Sequence, residues 1–479
     1  MSTLSDSPKR LIARRDAERH GVLDEPIVLA RAECEDIVQR AIKASKADAC
    51  RVSVNSSYAT NVRFADNQMS TSGISDDATI SITAFVGKRN ATVLTNDLGP
   101  GGLERAVAQA EALARLSPED PEQLPELPAQ QYATIPAWFD STATLSADDR
   151  ARAALSTLEL TRRASDITAA GYIEASANSQ AIGNSAGLFA FHRSTSANYS
   201  LTVRTSDGTG SSWMGADDND WRKIDFRGIA TGTAERARAS RNPQAIEPGR
   251  YTVIFEPQAS ADLLGSIAGI FSARAADEGR SPMSKAGGGT KLGERILDSR
   301  VTLLSDPSDA QILGSPFAGD GLPLQRRVWV ENGVLKQLSY DRFWAQRTGN
   351  QPTGGGGGGF GGGGFGGGGG AGFKMLGGDS TIDAMIKGSE RAVLVTRLWY
   401  LRPVNQRTLV FTGLTRDGTF LVENGRITRS IKNMRFNDSG LIMLNNLEAL
   451  GPAVRTNSGV VFPAVKARDF SFTSLSDAV

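Results

Sequence analysis

Apolar positions in the first half of the chain switch between two spacings. Ile37, Ala41 and Ala44 recur at helical intervals with Val38 and Ile42 beside them, which predicts a helix from about Ala30. Val52 and Val54 then alternate with polar residues in RVSVNSS, which predicts a strand. Further strands are expected at YATNVRFA, TISITAFVG and NATVLT. A helix follows in which Leu103, Val107, Ala110 and Leu113 share a face until Pro118 stops it. The stretch from Ser117 to Asp140 is rich in proline, glutamate and glutamine and reads as an extended connector crossing a surface. Ser146 with Asp149 three residues on is a capping signal for a helix through Leu155 and Leu158, and alternation after Gly171 returns to strand.

The second half changes character, with alternating apolar residues and frequent turn signals in VWVENGVLKQL and TLVFTGLTRDGTFLVENGRITRSI. Val-Glu-Asn-Gly occurs at Val330–Gly333 and again at Val422–Gly425, each time with Asn-Gly at the positive-φ positions of a type I′ turn. Duplication and simple reuse of hairpin chemistry both account for it. Pro257 suits the first turn of a helix in which Leu263, Ile267, Ile270, Phe271 and Ala275 recur, so a strand feeds one strongly apolar helix. Residues 354–372 form a glycine-rich insert holding 16 of the chain's 52 glycines and two aromatic beads, Phe360 and Phe365. It reads either as a tolerated surface insertion or as a flap over a cleft. The fold class expected is α+β. A charged arm (1–25) leads into an N-terminal α/β domain (26–242), a sheet backed by helices. A mainly antiparallel β domain with one buried apolar helix (243–479) follows.

Composition narrows the function classes. At 479 residues the chain exceeds one ordinary core. Its 53 basic and 52 acidic residues leave a net charge of +1, so no overall field draws it to nucleic acid or to an anionic membrane. Cys34 and Cys50 are the only cysteines, which excludes a disulfide framework and fits a reducing compartment, the cytoplasm. The first twenty residues carry charge where a signal peptide needs an apolar stretch, and no later apolar run is long enough to span a bilayer.

Candidate chemistry is sparse. Zinc peptidases need imidazole ligands and a carboxylate to polarise water, usually on one helix face. This chain has two histidines, His20 in the charged arm and His192 in the strand-like FAFHRSTS, with no spacing that would bring both to one metal. Cys34 and Cys50 have no C-x-x-C partner and read as small packing residues. Gly183-Asn184-Ser185-Ala186-Gly187 matches a nucleophile elbow, but an alternating segment follows it and no histidine lies beyond His192, so it reads as a glycine-bracketed turn. Asp217, Asp218 and Asp220 lack the ligand order of a calcium loop and read as a solvated turn.

The stretch YTVIFEPQASADLLGSIAGIFSARAADEG resembles the TldD/PmbA family, whose active subunits carry L-L-H-E-x-x-x-H on a helix after a strand. NVRFADNQM, ITAFVGKRNATVLTNDL, AIGNSAG, GSPFAGDGLPLQRRVWVENGVLKQL and LVFTGLTRDGTFLVENGRITRSIKNMRF extend the likeness over most of the chain. Laying the double leucine on Leu263 and Leu264 puts Gly265 at the first histidine, Ser266 at the glutamate and Ile270 at the second histidine. The family's cysteine ligand near the C-terminus also has no counterpart. The resemblance therefore implies a PmbA/TldE-like subunit that binds no cofactor of its own. It would pair with a zinc-bearing TldD-like paralogue, and together they would cleave small unfolded peptides; a homodimeric peptide-binding scaffold is the other expectation. Arg397, Arg402 and Arg407, in VTRLWYLRPVNQRT, would bind peptide carbonyls or carboxylates, or else stand on an exposed strand with Leu398 and Tyr400 packed behind. No nucleic-acid or membrane partner is expected.

Overall fold

The computed structural model describes residues 28–354 and 372–476. The predicted first helix is α1 (Arg31–Ala44). It is followed by β1 (Ala49–Ala65), β2 (Gln68–Val86), β3 (Arg89–Thr95) and α2 (Gly102–Leu116). The connector has no regular helix or strand before Asp140. After it come α3 (Ala147–Arg162), β4 (Ile167–Asn184), β5 (Phe189–Thr205), β6 (Ser211–Asp218) and α4 (Phe226–Ala239). The six strands form one sheet in the order β3-β2-β1-β4-β5-β6, every pair antiparallel.

Four of these strands are far longer than the alternation suggested. The predicted strands RVSVNSS and YATNVRFA are one continuous β1 of 17 residues, and β2 has 19. The polar positions around their junction do not break the strand because the buried ones are hydrogen-bonded. Ser56 Oγ accepts the Leu29 N–H (3.2 Å), and Thr60 Oγ1 donates to the Ala175 carbonyl (3.2 Å). Asp66 (φ 51°) and Asn67 (φ 58°) close the β1–β2 hairpin with both central residues left-handed.

One face of this sheet is apolar. Val52, Val54, Ile80 and Ile82 are fully buried beneath α1 and α2, and Val62, Ile173 and Leu201 beneath α3 and α4. Each such side chain contributes about 1.5–3 kcal/mol. Leu113 is not on the buried face of α2 as its spacing suggested. It is 42% exposed, because ten residues from Leu103 is about 80° off the stripe that Ala106, Val107, Ala110 and Ala114 complete. The opposite face is half-buried and polar, with Ser176, Asn178 and Gln180 on β4 beside Ser194, Ser196, Asn198 and Ser200 on β5.

Ser146 caps α3 as expected, accepting the Asp149 N–H (3.1 Å). The acidic cluster was misread as a solvated turn. Asp217 and Asp218 lie on β6, and Asp220 is 5% exposed, accepting from Ser141 and Arg222.

The rest of the chain builds a 13-stranded sheet. In chain order its strands are β7 (Gly249–Phe255), β8 (Leu303–Ser305), β9 (Arg327–Glu331), β10 (Val334–Leu335), β11 (Phe373–Met375), β12 (Arg391–Val395), β13 (Leu398–Asn405), β14 (Val410–Thr415), β15 (Thr419–Glu423), β16 (Arg426–Ser430), β17 (Met434–Ser439), β18 (Leu447–Arg455) and β19 (Val461–Leu475). The paired order of its spine is β10-β9-β8-β11-β19-β7-β12-β15-β16, with β13, β14, β17 and β18 joined beside it through β19. Pairing is mainly antiparallel, with β7–β12 and β11–β19 parallel. Both Asn-Gly turns form as the hairpin chemistry requires, with Asn332 and Gly333 at φ 49° and 78°, and Asn424 and Gly425 at 51° and 77°.

Ionic clamps join the two sheets. Arg455 Nη2 and Nε hold both carboxylate oxygens of Asp217 (2.7 and 3.0 Å), and Asn457 Nδ2 donates to the Tyr199 and Ala216 carbonyls (3.0 and 3.1 Å). Arg274 forks onto Glu122 in the connector at 2.7 Å on both oxygens. The polar face of β4–β6 therefore looks toward the second half of the chain.

Candidate functional site

The expected apolar helix after β7 is present but not continuous. Pro257 occupies its first turn and α5 runs Pro257–Leu264, with Glu256 as the N-cap residue. The chain then tightens into a 3₁₀ helix over Gly265–Phe271, bends at Ser272 (ψ 116°) and resumes as α6 (Ala273–Asp277), where Ser272 Oγ caps the Ala275 N–H (3.3 Å). Gly265 and Gly269 weaken α-helical propensity. In a 3₁₀ helix, side chains three apart eclipse, so Leu264, Ile267 and Ile270 all enter the core while Ala268 and Gly269 stay exposed. Phe271 stacks on Trp329, with ring centroids 5.6 Å apart.

These residues do not fit a zinc ion. Gly265 is buried and offers no donor, and Ile270 is 4% exposed among apolar neighbours. Positions 265 and 270 point about 120° apart in a 3₁₀ helix, so side chains there do not converge on one point. Cys34 and Cys50 are buried in the N-terminal core, where burial pushes their thiols up to about 12 and about 11, away from the thiolate that binds metal. His192 lies on β5, its Nε2 buried without a hydrogen-bond partner, and burial pushes its imidazole down to about 4. His20 lies outside the described residues. Among the described residues, no group of three or more His, Cys, Asp or Glu side chains is placed to hold a metal ion. Ser185 sits in the β4–β5 turn, where its Oγ accepts the Cys50 N–H (3.0 Å).

Two half-buried carboxylates frame α5, and neither was legible in the sequence. Glu256 forks onto Arg236 of α4 (3.0 and 2.9 Å); burial raises its pKa and Arg236 opposes the rise. Asp262 accepts the Leu398 N–H (2.9 Å) and the Gln258 amide (2.8 Å), with Arg397 nearby; burial nevertheless pushes its carboxyl up to about 6. An unfolded aspartate titrates near 3.9, so between about pH 4 and pH 6 the folded chain holds a proton that the unfolded chain has lost. Stability therefore falls as pH rises through that window, and the deficit persists above it. Asp262→Asn is expected to abolish this slope and to stabilise the chain above pH 6 by up to about 3 kcal/mol. Melting temperatures at pH 4.5 and 7.5 check this, and an unchanged slope in the variant would rule Asp262 out.

Of the three candidate arginines, the structure brings only Arg397 into a cleft. Its guanidinium lies 4.1 Å from the Trp213 ring centroid and 5.2 Å from that of Trp399, and donates to Asp417 (3.2 Å). Arg402 is exposed and covers the Tyr400 ring (4.8 Å), and Arg407 is exposed after β13. Tyr400 does not pack behind the strand. It is 57% exposed at φ 55°, within a register shift of β13. Phe360 and Phe365 lie outside the described residues.

Three family descriptions match the chain in succession. They are PmbA/TldA metallopeptidase domain 1 over residues 50–114, the central domain over 140–241 and the C-terminal domain over 248–474. The chain belongs to the PmbA/TldD metallopeptidase family. Among PmbA/TldD relatives, it is 22% identical to Metalloprotease PmbA of Escherichia coli O157:H7 over 456 residues, 89% of this chain and 93% of that protein. It is 22% identical to the Haemophilus influenzae PmbA homologue over 404 residues, 80% and 83% of the two chains. TldE from Thermococcus kodakarensis shares the fold with a TM-score of 0.81 at 20% identity, covering 92% of this chain and 99% of that one. In the PmbA/TldD frame, the junction of β7 and α5 is the strand and helix on which the resemblance first rested. Among the described residues, no helix is long and apolar enough to cross a membrane.

Proposed function

We propose that this chain is the non-catalytic, TldE-like subunit of a heteromeric zinc peptidase acting on small unfolded peptides. A TldD-like partner would carry the zinc and its water. One observation carries the reading: the helix that would have to present two imidazoles and a carboxylate presents Gly265, Ser266 and Ile270, and Gly265 and Ile270 are buried. A missing general base and missing ligands cannot be restored by loop movement. What this chain offers instead is a half-buried polar face of Ser, Asn and Gln on β4 and β5, which suits orienting an extended peptide by hydrogen bonds.

The purified chain is expected to cleave no peptide and to hold no stoichiometric zinc. Mixing it with a paralogue bearing H-E-x-x-x-H should yield a complex that hydrolyses an unfolded peptide and contains zinc in a 1:1 ratio to this chain. Metal analysis and peptide cleavage check both. Cleavage by the chain alone with one tightly bound zinc would overturn the reading. A stable homodimer that binds peptide, with no hydrolysis alongside any such partner, would favour a scaffold.

A further inference from the structure

The first sheet has an edge that the rest of the described chain leaves open. β3 pairs β2 only over Ile80–Val86, so from Thr79 back to Gln68 the side of β2 away from β1 meets no other strand among the described residues. Every second residue there turns its N–H and C=O outward. Over Thr71–Thr79, about 30 Å of strand at ~3.4 Å per residue, the pairing with β1 is one-to-one and free of bulges. The stretch TSGISDDAT holds no proline, lysine or arginine. Bulges and such residues blunt a free edge, and the chain uses them elsewhere: β13, paired only with β14, carries Pro403 and two register shifts. A long, regular, unblunted edge is a template for another strand.

This edge is complementary to itself. Two copies related by a twofold axis through the sheet pair antiparallel and opposed residues share a face, so only an axis on a single residue keeps the helix-covered and polar faces continuous. An axis on Asp76 or Asp77 sets carboxylates opposite each other, and one on Ser75 sets Asp76 against Ile74 of the second copy. One on Gly73 sets Asp76 against the bulge between Met69 and Thr71. An axis on Ile74 avoids all of these. It lays Asp76 opposite Ser72 and Asp77 opposite Thr71, whose hydroxyls can donate to a carboxylate, and it brings together the two Ile74 side chains, each 53% exposed in the single chain.

We propose that the open edge of β2 is a docking strand for a second copy of this chain, with the twofold axis at Ile74. The pairing extends the polar face. Asp77, Ser57, Asn178 and Ser194 lie in one cross-strand row, and Ser75, Ala59, Ser176 and Ser196 in the next but one. Both rows would continue through β2 of the second copy to its β5, joining two polar faces into one floor. The inference goes beyond the peptidase reading and does not depend on it: a chain joined at this edge keeps its other surfaces for a zinc-bearing paralogue.

Sedimentation velocity of the full chain over a wide range of concentration should show a monomer passing into a dimer. Ile74→Lys, which puts two cations on the axis at an exposed position, should weaken that dimer at least tenfold without lowering the melting temperature, whereas Ile74→Val should keep it. Air oxidation of Ile74→Cys should link the two copies by a disulfide, because opposed residues have Cα atoms ~4.5–5.5 Å apart. The native thiols are buried and do not compete. Thr71→Cys should not link, since the axis sets its two copies about 20 Å apart. A chain monomeric at every concentration, a dimer indifferent to Ile74→Lys, or Thr71→Cys linking as readily as Ile74→Cys would overturn the proposal. So would a chain that uses this edge only with the H-E-x-x-x-H paralogue. Hydrolysis by a paralogue complex of chains that never self-pair would sink edge docking alone, whereas self-pairing without hydrolysis by any complex would sink the peptidase reading alone.

Discussion

Arg455→Met is expected to lower the chain's unfolding free energy by about 3–5 kcal/mol, the usual cost of removing one partner from a buried ion pair. Arg455 and Asp217 are 17% and 10% exposed, so little solvent is at hand to replace the lost partner. The same guanidinium also donates to Asn219 Oδ1 (3.1 Å) and the Gln311 carbonyl (2.8 Å), so its removal orphans acceptors on both sides of the seam. Burial already raises the Asp217 pKa, with Arg455 opposing the rise. Without Arg455 the carboxylate should titrate higher still. The folded chain would then hold a proton that the unfolded chain releases near pH 4, and stability would fall as pH rises above that point. The deficit should therefore be larger at pH 7.5 than at pH 5. Asp217→Asn in the same chain should recover a substantial part of it, because no charge is then left unpaired. Calorimetric melting of the parent, both single variants and the double variant forms the cycle, and a double variant no better than Arg455→Met alone would show that the pair is not what holds the seam.

The second expected result concerns restoring the motif residues. Gly265→His, Ser266→Glu and Ile270→His together should give a chain with no stoichiometric zinc and no peptide hydrolysis, destabilised by about 3–5 kcal/mol. Ile270 packs in the core with Leu264, Ile267 and Phe271, so an imidazole there buries a polar group where an aliphatic one was filling space. The 3₁₀ winding of Gly265–Phe271 also leaves the two new imidazoles pointing apart. Metal analysis after dialysis and a denaturant midpoint check both parts. One zinc per chain with hydrolysis would mean that the local winding adapts to the metal and that only the residue types had been lost.

How far the fold and candidate site could be read without coordinates follows from where the information lies. Local signals were sufficient at α1, at the Ser146 cap, at Pro257 and at both Asn-Gly turns, because side-chain periodicity, caps and positive-φ turns depend on residues a few positions apart. The residue types at positions 265, 266 and 270 were equally plain, since identity needs no coordinates. Strand length was not legible, because Ser56 and Thr60 count as buried strand positions only once Leu29 and Ala175 supply their hydrogen bonds. The break in the apolar helix was not legible either, since packing decides whether Leu264, Ile267 and Ile270 wind at 3.6 or at 3.0 residues per turn. Asp217 looked solvated because its partner Arg455 lies 238 residues away, and the cleft around Arg397 draws Trp213 and Asp417 from opposite halves of the chain. Hydrogen bonds and charges that pair across such distances leave no local periodicity, so only the tertiary structure could decide them.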